Sequence, residues 1–156
     1  MNNSVRLLAI LITAITLCAC DRAPSSAQSI PAQVAVTEMV INDVQTGNGM
    51  VATDHHQVTV HYTGWLYDAN AAQFRGKQFD SSRGDDNNRP QPFSFYLGAG
   101  QVIPGWEKGI VGMKVGGRRT LIIPASLAYG ERGAGRGLIP KNAALIFDVE
   151  LLAVHD

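Results

Sequence analysis

The sequence predicts an α+β domain, an antiparallel twisted sheet with one short α-helix laid across its concave face. Two segments, QVTVHYTGWL and ALIFDVELLAV, alternate apolar and polar residues with the period of half-buried strands. Only the segment around Trp106 carries apolar residues at helical spacing. Sixteen glycines and seven prolines in 156 residues favour turns and sheet over a helical bundle.

The chain opens with the polar MNNSVR and the apolar LLAILITAITL. That run suits a secretory signal and falls short of the ~20 residues a membrane-spanning helix needs. It closes on LCAC, Leu17 to Cys20, which resembles the lipobox of bacterial lipoproteins, where cleavage precedes a cysteine that receives lipid. Residues 1–19 would then be the lipoprotein signal peptide and Cys20 the lipidation site. The alternative is a plain secretory signal with Cys20 incidental. Both cysteines of the chain lie in this motif, so cleavage leaves one thiol with nothing to pair with, and acylation removes it. Asp21 matches the pattern that retains enterobacterial lipoproteins at the inner membrane. The expected location is the cell envelope, lipid-anchored and facing the periplasm, at the inner rather than the outer membrane.

Residues 20–33, rich in Ala, Ser, Pro and Gln, read as a flexible tether, and residues 34–156 as the folded domain. VAVTEMVINDV is β-rich and TGNG marks a turn. In the next strand Val58, Val60 and Tyr62 share one face, with Thr59, His61 and Thr63 opposite. PFSFYLG groups Phe93, Phe95 and Leu97, and RRTLIIP is a further β-branched run. Ile103, Trp106, Ile110 and Met113 define one helix face, with Pro104 in the first turn and Gly116–Gly117 as a stop. In the last strand Leu145, Phe147, Val149 and Leu151 line up on one side. Alternation of this kind belongs to antiparallel sheets, because buried parallel strands are apolar on both faces.

Several chemistries are disfavoured. Thirteen basic and thirteen acidic residues cancel, so a nucleic acid loses its main source of affinity. His55, His56 and His61 have no cysteine nearby and read as solvated surface histidines, so no metal is expected. GERGAGRG lacks the end of a phosphate-binding loop, GAGQVIPG lacks the third glycine of a dinucleotide site, and no Gly-x-Ser-x-Gly elbow occurs.

VHYTGWL, KQFDSSR, PFSFYLGAGQVIPGWEKGIVGMKVGGRRTLIIPASLAYGERG and GLIPKNAALIFDVELL together resemble, in order and spacing, the FKBP-type peptidyl-prolyl cis-trans isomerases. The match runs from about Thr37 to Val154. It implies a half-barrel of antiparallel strands around one helix, with an apolar cleft that takes proline-containing polypeptides and, in this family, macrolide inhibitors. By motif, Tyr62, Asp80, Trp106 and Tyr129 would be the catalytic set. Phe79, Phe93, Val102, Ile103, Ile139 and Phe147 would bind substrate. The stretches 67–76 and 84–91 are longer than in short family members, and no role is transferred to residues 131–137.

The implied reaction is rotation about an X–Pro amide, opposed by ~18–20 kcal/mol of lost resonance. No bond is broken, so neither nucleophile nor cofactor is required; the site need only bind the twisted amide better than the planar one. Trp106 would be the floor, although an aromatic on a helix face is ordinarily core. The Ile103 N–H and the Tyr129 hydroxyl would hold carbonyls of the peptide. Asp80, whose FDSS setting also suits a plain turn, would bond Tyr62 and shape the field of the cleft. The expected activity is isomerisation of X–Pro bonds in exported proteins. The alternative is a lipid-anchored chaperone or peptide-binding module that uses the same cleft without significant catalysis.

Overall fold

The computed structural model describes residues 35–84 and 89–155. The expected signal 1–19, Cys20 and the tether 20–33 lie outside the described residues, as do residues 85–88 of the 84–91 stretch. Six strands form one antiparallel sheet: β1 (Val40–Gln45), β2 (Gln57–Tyr67), β3 (Arg75–Ser81), β4 (Phe93–Tyr96), β5 (Arg118–Ile123) and β6 (Leu145–His155). The order is β1-β5-β6-β2-β3, and β4 pairs the first half of β2 on the same edge that β3 pairs further along. The long central pair runs from Gln57↔His155 to Leu66↔Leu145, with a bulge where Thr59 and Val60 face Ala153 and Leu151. A bulge bends its strand and increases the twist.

The alternation predicted for β2 and β6 decides which face is buried. Val58, Val60, Leu121, Ile123, Leu145 and Leu151 are fully buried on the concave side, with Phe147 and Val149 nearly so. Full burial contributes about 1.5–3 kcal/mol for each such side chain. Ile146 breaks the rule: its neighbours in register are Trp65 and Ile122, and it is 1% exposed.

The helix α1 spans Pro104–Ile110, shorter than a stop at Gly116–Gly117 implies. Gly112, at φ +81, turns the chain just past its end, and Met113 stays buried through the Met113 N–H to Ile110 carbonyl bond of 3.0 Å. Its last carbonyls are capped from the sheet. Arg119 donates through Nη1 to the Gly109 and Val111 carbonyls at 2.7 and 3.2 Å, satisfying orphan acceptors of the helix end. Gly105 lies inside the helix facing β5, where a Cβ would come within 2.8 Å of Ile123 Cδ1. The glycine thus lets the helix approach the sheet closely.

The structure resolves one alternative left by the sequence and changes one reading. KQFDS, which also suited a turn, lies within β3, pairing Gly64↔Asp80 and Thr63↔Ser81. His61 is not a freely solvated histidine: its Nδ1 lies 3.0 Å from Ser82 Oγ, which also accepts the Tyr62 N–H at 2.8 Å. Histidine and serine therefore brace the backbone of β2 behind Tyr62. On the outer face Arg75 donates through Nη2 to both carboxylate oxygens of Asp148, at 2.7 and 2.9 Å, and Arg83 and Arg118 both reach Glu150.

Candidate active site

A hollow of about 350 Å3 opens between the first turn of α1, the concave face of β2 and β6, and the ends of β3 and β4. Trp106 is its floor. The residue is only 4% exposed, yet its ring borders the hollow. Tyr62 and Phe147 stand nearly perpendicular to the indole at 5.0 and 5.2 Å, and Phe93 closes a third side at 6.2 Å. Phe79 meets Phe147 edge to face at 5.6 Å. Edge-to-face pairs contribute about 0.5–1.5 kcal/mol each beyond burial, so the rings hold one another in place without filling the hollow. The Trp106 Nε1–H is buried without a hydrogen-bond partner.

The polar groups sit at the rim. Tyr62 donates its hydroxyl to Asp80 Oδ2 at 2.6 Å, a length typical of a bond to a charged acceptor. Burial raises the Tyr62 hydroxyl well above the ordinary tyrosine value, and the Asp80 carboxylate pushes it the same way. Tyr129 is raised also, by burial first and by Asp80 second. Both phenols are therefore neutral donors at physiological pH. The Tyr129 hydroxyl, in a residue 39% exposed, has no protein partner among the described residues. Neither has the Ile103 N–H, although the Ile103 carbonyl accepts the Trp106 N–H at 2.9 Å. Two donors without a protein partner among the described residues thus border an apolar hollow.

Nine of the ten residues expected at the site line this hollow, Val102 and Ile103 among them. Ile139 does not. It is 5% exposed within the core, held by an isolated bridge to Ala134, while its neighbour Leu138 is 41% exposed. Cys20 lies outside the described residues. The sequence reading missed three residues that shape the cleft. Gln101 lines it and accepts the Tyr96 N–H through Oε1 at 2.9 Å, leaving its amide nitrogen as a donor. Glu107, on α1, accepts the N–H groups of Gly98 and Gly100 at 2.6 and 2.9 Å, and so fixes the turn leading into Gln101–Ile103. Gly64 makes room for the aromatic wall, since a Cβ there would lie 2.7 Å from Phe147 and 2.8 Å from Phe79. A glycine inside an alternating strand was the available signal for close packing at that point.

The comparisons agree with this geometry. The family model described as FKBP-type peptidyl-prolyl cis-trans isomerase matches residues 49–152. An FK506-binding protein of Neisseria meningitidis serogroup A is 49% identical over 118 residues, covering 76% of this chain and 97% of that protein. An FK506-binding protein of Streptomyces anulatus is 50% identical over 117 residues, covering 75% and 86%. Among solved structures, FkpA from Escherichia coli superposes with a TM-score of 0.62 at 42% identity, covering 76% of this chain and 49% of that one. AtFKBP13 superposes with a TM-score of 0.62 at 38% identity, covering 78% and 96%. With its antiparallel sheet, single helix and ring-lined cleft, the chain belongs to the FKBP-type peptidyl-prolyl cis-trans isomerase family and is a rotamase.

Proposed function

We propose that the chain isomerises X–Pro bonds of exported polypeptides in the cleft over Trp106, without a covalent intermediate. The observation that carries the assignment of residues is the Tyr62–Asp80 bond standing beside a buried indole at the rim of one apolar hollow. The proline ring stacks over Trp106, between Phe93 and Phe147. The planar amide is the more polar form, so a site that excludes water favours the twisted one. The Ile103 N–H and the Tyr129 hydroxyl bond carbonyls of the substrate and hold it across the hollow. Asp80 fixes Tyr62 and sets the local field; it transfers no proton, because the reaction moves none.

The same cleft, by likeness to relatives named for FK506, accepts a macrolide of that class. Lipid on Cys20 and an inner-membrane location with the domain facing the periplasm complete the proposal, supported by the LCAC motif followed by Asp21. Residues 20–33 then act as the tether to the domain 34–156.

The test measures cis–trans exchange on peptides varied before proline, with and without FK506, for the full chain and for Trp106→Leu. Catalysis lost in the variant and blocked by FK506 supports the assignment. An undiminished Trp106→Leu removes the cleft from the reaction. Incorporation of labelled fatty acid that disappears in Cys20→Ser tests the anchor separately.

A further inference from the structure

We infer that Gln101 donates its side-chain amide to a main-chain carbonyl of the substrate, two residues along from the carbonyl that the Ile103 N–H holds. The cleft then reads an extended flank of the proline as well as the proline itself. The inference rests on the reading of the hollow over Trp106 as the substrate site. Gln101 lines that hollow, and one end of its amide is fixed. Its Oε1 accepts the Tyr96 N–H at 2.9 Å. Only the oxygen of a glutamine amide can meet an N–H, so the end left over is Nε2 with its two hydrogens. That nitrogen has no protein partner among the described residues.

The other polar groups of the rim decide what Nε2 can meet. Polar side chains line the hollow at Tyr62, Asp80, Gln101 and Tyr129. Tyr62 already gives its hydroxyl hydrogen to Asp80. The donors left for a ligand are the Tyr129 hydroxyl, the Ile103 N–H and the Gln101 amide, so a peptide is met chiefly through its carbonyls. Asp80, the one acidic side chain lining the hollow, disfavours a substrate carboxylate as the acceptor and leaves a neutral carbonyl acceptable. Spacing then selects which carbonyl. Gln101 and Ile103 are two residues apart, a span of at most about 7 Å. Carbonyls that point the same way on an extended peptide also recur every second residue, at about the same interval. A peptide with one carbonyl on the Ile103 N–H therefore brings the next of that direction within reach of Gln101. The glutamine is held ready for it: its oxygen is tied to the end of β4, and Glu107 fixes Gly98 and Gly100 in the turn between. Part of the side-chain freedom that binding would remove is thus already lost in the free protein.

The experiment follows cis–trans exchange by NMR on the full chain with three peptides. The first has four-residue flanks on both sides of the proline, the second starts at the residue before the proline, and the third ends on a prolinamide. Gln101→Glu keeps an oxygen for the Tyr96 N–H and replaces the donor with an acceptor. It should raise KM about tenfold on the long peptide, with kcat within about twofold, because the lost bond is made equally to the planar and the twisted amide. The rise should persist on one shortened peptide and vanish on the other, the one that lacks the carbonyl held by Gln101. Gln101→Leu, which removes both ends of the amide, should keep the same dependence on peptide length. An unchanged KM for Gln101→Glu on the long peptide overturns the proposal. So does a rise of equal size on all three peptides, the mark of a glutamine that only holds the turn. Trp106→Leu, run beside these variants, keeps the two readings apart. If its catalysis is undiminished, the reading of the cleft fails; if catalysis is lost there while Gln101→Glu matches the parent, the proposal for Gln101 fails alone.

Discussion

Arg119 and Asp43 face each other across β5 and β1, with Nε and Nη2 of the arginine on the two carboxylate oxygens at 2.6 and 3.1 Å. The third nitrogen reaches past the sheet to the end of α1. One side chain, 9% exposed, therefore joins the outermost strand to the helix that carries the cleft floor. Arg119→Ala strands the Gly109 carbonyl and should destabilise the domain by about 2 kcal/mol. Chemical denaturation checks this, and a loss below a few tenths of a kcal/mol would mean that the cap is replaced by water.

The same pair contributes to the response to acid. The hydrogen bond from Arg119 holds the Asp43 carboxyl below its ordinary value, and Arg83 and Arg118 do likewise for Glu150. A depressed carboxylate contributes stability that is fully present above its unfolded-state value of about 4. That contribution is lost as pH falls through the folded value. Melting temperature should therefore hold from pH 8 to about 5 on this account and fall below about pH 4. Asp43→Asn should flatten part of the fall. Because Asp43 is about half exposed, its share is small.

Tyr62 and Tyr129 carry the opposite sign. Both hydroxyls are raised above the ordinary tyrosine value of about 10, so both stay protonated well into alkaline solution. Any stability linked to them is present below that value and lost only as pH rises through the folded one. The tyrosines should cause no loss of kcat/KM between pH 7 and about 9. Tyr62→Phe removes a hydrogen bond to a charged acceptor, and about tenfold in kcat/KM is the scale of the loss. Rates for Tyr62→Phe within twofold of the parent would remove the pair from the site's machinery.

The alternation of β2 and β6 and the spacing Ile103–Trp106–Ile110 were legible because burial on one face writes itself as a period. The family motifs then singled out nine residues that line the cleft, five of them from the apolar faces that periodicity had already marked. β3 was harder to read: QFDSS carries turn residues, and only pairing with β2 turns Asp80 and Ser81 into strand. Ile139 lies in the core and not among the residues lining the cleft, and it follows a stretch with Gly133, Gly135 and Gly137 all at positive φ, a geometry that leaves no period in the sequence. Gln101 and Glu107 were missed for another reason: they act through hydrogen bonds to the backbone of Tyr96, Gly98 and Gly100, contacts that leave no pattern in a sequence.

Glu107 makes the most specific of these contacts. Its two carboxylate oxygens take one N–H each from a turn whose residues Gly98 and Gly100 both have positive φ. That turn feeds directly into Gln101, Val102 and Ile103 on the rim, while Trp106 lies next to Glu107 on the helix. Loosening the turn should therefore disturb the Ile103 N–H that holds substrate and leave the indole floor in place. Glu107→Ala removes both acceptors and should raise KM about tenfold, with kcat changed less, since each charge-assisted bond contributes about 1.5–3 kcal/mol and water replaces part of it at an exposed site. Glu107→Gln keeps one carbonyl acceptor and should recover part of the loss. Steady-state kinetics on one X–Pro peptide separate the cases: a fall in kcat at unchanged KM would place Glu107 behind the floor of the cleft instead of its rim.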